Sequence, residues 1–231
     1  LLIMQQDRLS LLFPLFYFME TYKNKYLMHA SAFKLDNKTV VMAGLANIGK
    51  STSSLAATLD LKGKLISDNY LLYDQNKIFC FPELVRISDE ILNLINNKDG
   101  LGKHLYVRGN RKLYSLSPDQ IVDSDSIDAV IIPSLGDSWG YENISKDYAI
   151  DLIMSSNEYV NEFHSTDFIS ILNRIYPGPY SVFNNRVNVL KGLLKHTPIY
   201  LVTISSEKSP KENIEYIMNI IFEKEVDNEI C

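Results

Sequence analysis

The sequence lacks the marks of several large functional classes. Its two cysteines, Cys80 and Cys231, lie far apart. They supply neither a zinc spacing nor a disulfide framework, and such usage fits a reducing cytoplasm. The four histidines (His29, His104, His164 and His196) show no metal-ligand spacing. No Gly-x-Ser-x-Gly elbow occurs, so an α/β-hydrolase reading has no support. Positive charge is scarce: the formal net charge is −5, with no dense Lys/Arg run, and nucleic acid is not an expected partner. Long apolar runs are also missing. Leu9–Met19 is about half the ~20 residues a membrane span needs, and Pro14 interrupts it. It has no small-residue cleavage pattern, so the expectation is an N-terminal helix and no membrane segment. The sequence contains no internal repeat and no low-complexity tract.

What remains is enough to bury one sizeable core. The chain has 231 residues, 46% of them hydrophobic and 22% charged. One domain spanning residues 1–231 is expected, and because the sequence opens on Leu1, further natural residues are expected before it.

Periodicity predicts a helix over Arg8–Tyr22 and a strand over Tyr26–Leu35. Thr39–Ala43 is apolar and β-branched, which suits a buried strand, and a helix is expected over Lys50–Asp60. Short strands follow at Leu65–Ser67, Tyr70–Tyr73 and Lys77–Phe81. Ser88–Ile95 reads as a helix capped by Ser88, with Asp89 and Glu90 near its positive end. Lys98–Gly102 reads as a loop, and His104–Val107 and Ala129–Ile132 as strands. Gly136–Ser145, which holds Trp139, reads as irregular. Helices are expected over Lys146–Phe163, Thr166–Tyr176 and Tyr180–Lys195, then a strand over Ile199–Ile204. Ser209-Pro210-Lys211-Glu212 is a capping box with proline at the first helical position. It opens a final helix to about Phe222, whose Ile214, Ile217, Met218 and Ile221 form a core-facing stripe. The pattern is that of an α/β fold with a helical C-terminal part.

One segment carries chemistry outright. Gly44-Leu45-Ala46-Asn47-Ile48-Gly49-Lys50-Ser51 matches G-x-x-x-x-G-K-[ST], between an apolar strand and a helix. Glycines let the backbone curl around a phosphate, and loop N–H groups at a helix start point at negative charge. Lys50 supplies a mobile positive charge, and the Ser51 hydroxyl can ligate Mg²⁺. Gly44, Ala46, Asn47, Ile48, Gly49, Lys50, Ser51 and Thr52 are the expected nucleotide-binding positions, with ATP and Mg²⁺ as the expected ligands.

The motif does not specify a reaction. Leu65-Ile66-Ser67-Asp68-Asn69 offers a carboxylate at a strand end, where Asp68 could associate with the metal or accept a proton from a hydroxyl. The same residues also make good turn chemistry. His29, in the strand before the loop, is either a site residue or a satisfied core histidine. Arg86, Lys103, Arg108 and Arg111 are candidate anion clamps.

In order and spacing these residues resemble the HPr kinase/phosphorylase-like kinases, whose nucleotide site is related to that of phosphoenolpyruvate carboxykinase. His29-Ala30-Ser31-Ala32 is similar to that family's "HASAV"-type strand, Gly44–Ser51 to its P-loop, and Leu65-Ile66-Ser67-Asp68 to its strand ending in an acidic pair. The likeness covers about Leu9 to Ile87. It implies a P-loop kinase core with a mixed β-sheet, self-association, and transfer of the γ-phosphate of ATP to a hydroxyl-bearing acceptor. It also implies catalytic roles for Asp68, Lys50 and His29, with Ser51 and Asp68 at the metal. The sequence departs from the family at Asn69, which replaces the second acid, and in lacking an Arg-Gly-Leu-Gly segment, so HPr is not the expected acceptor. A nucleotide-binding regulatory module and a P-loop NTPase are the alternative readings.

Overall fold

The structure, a computed structural model, describes residues 15, 18–20, 22–81, 83–158 and 179–229. The predicted helix over Thr166–Tyr176 and most of the one over Arg8–Tyr22 lie outside them.

A six-stranded mixed sheet organises the fold. It contains β2 (Ala30–Leu35), β3 (Lys38–Ala43), β4 (Lys64–Ser67), β11 (Ala129–Gly136), β12 (Gly140–Asn143) and β13 (Ile199–Ser205), in the order β12-β13-β11-β3-β2-β4. Strand β11 runs parallel to both β3 and β13, while β2 runs antiparallel to β3 and β4. Side chains alternate across this sheet. Val40 and Met42 face one cluster, into which Ile214, Ile217, Met218 and Ile221 of the last helix pack. Val41 and Ala43 face the opposite cluster, with Ile150 and Ile153, Leu190 and Leu194.

The helices are α1 (Lys50–Leu59), α2 (Asp89–Leu94), α3 (Lys146–Glu158), α4 (Pro179–Leu193) and α5 (Pro210–Glu229). The expected caps form. The Ser88 side chain accepts from the Ile91 N–H, and Ser209 and Glu212 exchange the reciprocal bonds of a capping box, at 3.2 and 2.9 Å. Helix α5 extends beyond Phe222 to Glu229. No helix among the described residues is long and apolar enough to cross a membrane.

Two smaller sheets complete the fold. One is β1 (Tyr26–Met28), β5 (Leu71–Tyr73), β6 (Ile78–Cys80) and β10 (Ser124–Asp125), in the order β1-β5-β6-β10. The other is β7 (Val85–Ser88), β8 (Leu101–Arg108) and β9 (Arg111–Leu116), in the order β7-β9-β8. Helix α1 packs Leu55, Ala56 and Leu59 against this sheet through Val85, Ile87 and Tyr114, and so lies buried between layers.

Several sequence expectations need correction. The strand expected over Tyr26–Leu35 is two strands in different sheets, broken at His29. The His29 main-chain N–H donates to Asn157 Oδ1 at 2.9 Å, a side-chain partner in place of a ladder partner. Gly136–Ser145, expected irregular, contains β12, which pairs with β13 from Gly140↔Thr203 to Asn143↔Tyr200. Leu101 and Gly102 belong to β8, not to a loop. Strand β11 continues through Pro133 to Gly136. Its pairing with β3 runs only to Ile131↔Met42, so Pro133, which has no N–H, lies where β13 alone flanks the strand. Strands β7 and β9, absent from the sequence reading, frame one side of the site described next.

Candidate functional site

Sheet register gathers the chemistry at one edge. Ala30 pairs with Ala43, and Ala32 with Ser67. His29 at the start of β2, Gly44 at the end of β3 and Asp68 at the end of β4 therefore lie on the same side of the sheet. They sit at the carboxyl ends of β3 and β4, the location where open α/β sheets bind ligands.

The loop from Gly44 to Ser51 turns sharply between β3 and α1. Gly44 has φ 137°, Asn47 φ 63° and Gly49 φ 86°. A Cβ at Gly44 would meet Ile48 Cδ1 at 3.2 Å, whereas one at Gly49 would point into open space. Both glycines thus answer a backbone requirement, and asparagine is the residue best suited to the third left-handed position. Ala46 and Asn47 are exposed, Ile48 is half-buried beneath the loop, and Ser51 and Thr52 begin α1.

Lys50 is buried, and its Nζ donates to the carbonyls of Gly44 at 2.8 Å and Leu45 at 2.6 Å. Burial pulls its pKa down to about 8, with the Asp68 carboxylate acting in the opposite direction. The one Ser51 hydroxyl proton is shared between the main-chain carbonyl of Asp68, 3.4 Å from Oγ, and the Asp68 carboxyl. Below Lys50, Ser54 Oγ lies 2.7 Å from Ser31 Oγ, which donates to the Lys50 carbonyl at 3.1 Å. These serines tie β2 to the first turn of α1 and set the loop against the sheet.

Asp68 is buried, and burial raises its pKa. Opposing that rise are the Ser51 hydroxyl, the main-chain N–H of Arg86, and the charges of Arg86 and Arg111. His29 is depressed to about 4, first by burial and then by the Lys50 charge, with a hydrogen bond to Asn69 acting the other way. The imidazole is therefore neutral at neutral pH, and its ring lies 6.4 Å from that of Tyr70.

Three buried side-chain polar atoms have no hydrogen-bond partner among the described residues: His29 Nδ1, Asp68 Oδ1 and Arg86 Nε. All three belong to this site. An orphaned buried polar atom costs about 1–3 kcal/mol, and three in one place mark where a ligand would supply the missing partners.

Of the sequence candidates, His29, Lys50, Ser51 and Asp68 come together, and the charges of Arg86 and Arg111 reach the same carboxylate. Lys103 lies on exposed β8 and does not join them. Sequence reasoning missed Asn157, whose side chain fixes the His29 backbone from 128 residues away. No local pattern could have found it. Asn69, noted only as a lost acid, hydrogen-bonds His29 instead.

Ser51 Oγ and the unpartnered Asp68 oxygen are hard oxygen donors. They fit Mg²⁺, which binds through one or two protein groups together with phosphates and water. No larger cluster of metal-ligating side chains occurs among the described residues.

No protein-family model matches the chain, and no curated protein matches it. Among solved structures, it is similar to the Hpr(Ser) kinase/phosphatase from Coxiella burnetii at 18% identity, over 51% of this chain and 77% of that one, with a TM-score of 0.31. At that score the likeness is partial.

Proposed function

We propose that this protein is an ATP- and Mg²⁺-dependent phosphotransferase that moves the γ-phosphate to a hydroxyl group. The observation that carries this reading is the juxtaposition of the glycine-rich loop and Asp68. A buried carboxylate with one free oxygen lies against the hydroxyl that opens the phosphate-binding helix.

The loop amides and Lys50 hold the phosphates. When ATP enters, phosphate oxygens replace the Gly44 and Leu45 carbonyls as partners of the Lys50 ammonium, whose pKa rises in their field. Ser51 would hold Mg²⁺, which would neutralise phosphate charge when bound, and Asp68 would reach that metal through a water. Asp68 orients the acceptor hydroxyl and takes its proton. The acceptor oxygen forms a bond to the γ-phosphorus as the bond from that phosphorus to the ADP oxygen breaks. His29, neutral and held by Asn157 and Asn69, lines the site as a hydrogen-bonding wall.

The test is incubation with labelled ATP and candidate acceptors, with ADP, free phosphate and phosphorylated acceptor measured together. ADP matched by phosphorylated acceptor supports the proposal, whereas ADP matched by free phosphate makes the protein an NTPase. Nucleotide binding with neither product makes it a binding module. Lys50→Ala should weaken ATP binding or transfer by about 1.5–3 kcal/mol, the value of one charge-assisted contact.

A further inference from the structure

The mechanism above uses Asp68, Lys50, Ser51 and His29 and leaves two cations at the same carboxylate unexplained. Arg86 lies on β7 and Arg111 on β9, in a sheet that contributes nothing to the glycine-rich loop. Ser88 pairs with Arg111, and Arg86 and Ser88 are two residues apart on one strand. The two arginines are therefore diagonal neighbours on one face of the sheet.

Neither guanidinium is used up. Arg86 Nη2 donates to Glu83 Oε1 at 3.2 Å, but its Nε is buried without a partner. Arg111 is exposed and has no ion-pair partner among the described residues. Asp68 feels both charges and is already engaged by Ser51 and the Arg86 N–H. Counting Lys50, three cations (Lys50, Arg86 and Arg111) meet two carboxylates (Asp68 and Glu83), which leaves one positive charge over next to the group that must meet the acceptor hydroxyl.

We propose that Arg86 and Arg111 form an anion-binding subsite beside Asp68, so that the compound phosphorylated here carries a carboxylate or phosphate close to its reacting hydroxyl. This rests on the phosphotransferase reading and adds the chemical class of the acceptor. A guanidinium fork binds such groups through paired N–H bonds, and holding the anion while Asp68 holds the hydroxyl fixes the acceptor at two points. A neutral alcohol has only one.

The test measures binding, so that it does not depend on turnover. Glycerate, glycerol 3-phosphate and glycerol are titrated calorimetrically, with ADP and Mg²⁺ present, into wild type, Arg86→Gln, Arg111→Gln and Lys50→Ala. Arg111→Gln changes an exposed hairpin residue and keeps the proposal testable if Arg86→Gln fails to fold. At least one anionic compound should bind more tightly than glycerol. Each arginine variant should weaken that binding by about tenfold or more, and by more than Lys50→Ala does. Equal binding of glycerol and both anions overturns the proposal, as does anion binding that Lys50→Ala abolishes and the arginine variants spare. The two anions separate carboxylate from phosphate recognition. ADP binding to wild type without labelled transfer in the assay above would sink the kinase reading while leaving an anion site intact, so the two failures are distinguishable.

Discussion

Replacing Asp68 by asparagine separates the roles the site assigns to that carboxylate. The substitution keeps shape and removes a buried negative charge whose Oδ1 has no partner. Folding should not suffer, because burial disfavours the charged form more than its partners favour it. The variant should melt at or above the wild-type temperature. Transfer should fall by on the order of 10²–10⁴, the usual share of a general base. That corresponds to about 3–5.5 kcal/mol in the barrier. A third consequence concerns Lys50. Its pKa of about 8 is held up by the Asp68 charge, so Asp68→Asn should push it lower still. ATP affinity should then be close to wild type at about pH 6.5 and fall faster than wild type as pH rises toward about 8, where the lysine loses its proton. The assays are steady-state ADP release with phosphorylated product, calorimetric ATP titration at both pH values, and a thermal melt. Undiminished turnover would remove Asp68 from the mechanism. An affinity loss of the same size at both pH values, restored by excess Mg²⁺, would make it a metal ligand and not a base.

Gly49→Ala should cost about 1–2 kcal/mol in stability, because φ 86° is left-handed, with no steric clash in the free protein. Its ATP affinity should fall further than that strain explains, since the added methyl points into open space at the loop; a denaturant melt beside calorimetry checks this, and unchanged affinity would refute a phosphate cradle there. His29 binds its proton at about 4 when folded against 6.5 unfolded, so the unfolded chain takes up more protons between these values. Its contribution to stability is fully present above about pH 6.5 and is lost as pH falls toward about 4, to a total of about 3 kcal/mol. Urea unfolding from about pH 7 to about pH 4 should show a steeper acid loss in wild type than in His29→Gln, and parallel curves would refute the assignment.

The parts of this molecule written over short spans were legible from sequence. The glycine-rich loop between β3 and α1, the Ser88 cap and the Ser209–Glu212 box are each set within four to eight neighbouring residues, where backbone dihedral preferences and local hydrogen bonds decide the outcome. The apolar runs of β3 and β13 and the stripe on α5 were also visible, because burial repeats with the period of the element. What tertiary structure alone decided was pairing at a distance. The break at His29 follows from two sheets competing for one extended segment and from an Asn157 side chain 128 residues away. Strand β7 alternates but over only four residues, β9 alternates weakly, and both owe their form to each other and to the face of α1 they cover. Because Arg86 and Arg111 ride on those strands, their arrival beside Asp68 could not be read from spacing. Local sequence sets which backbone shapes are cheap, but only packing sets which distant charges end up beside one buried carboxylate.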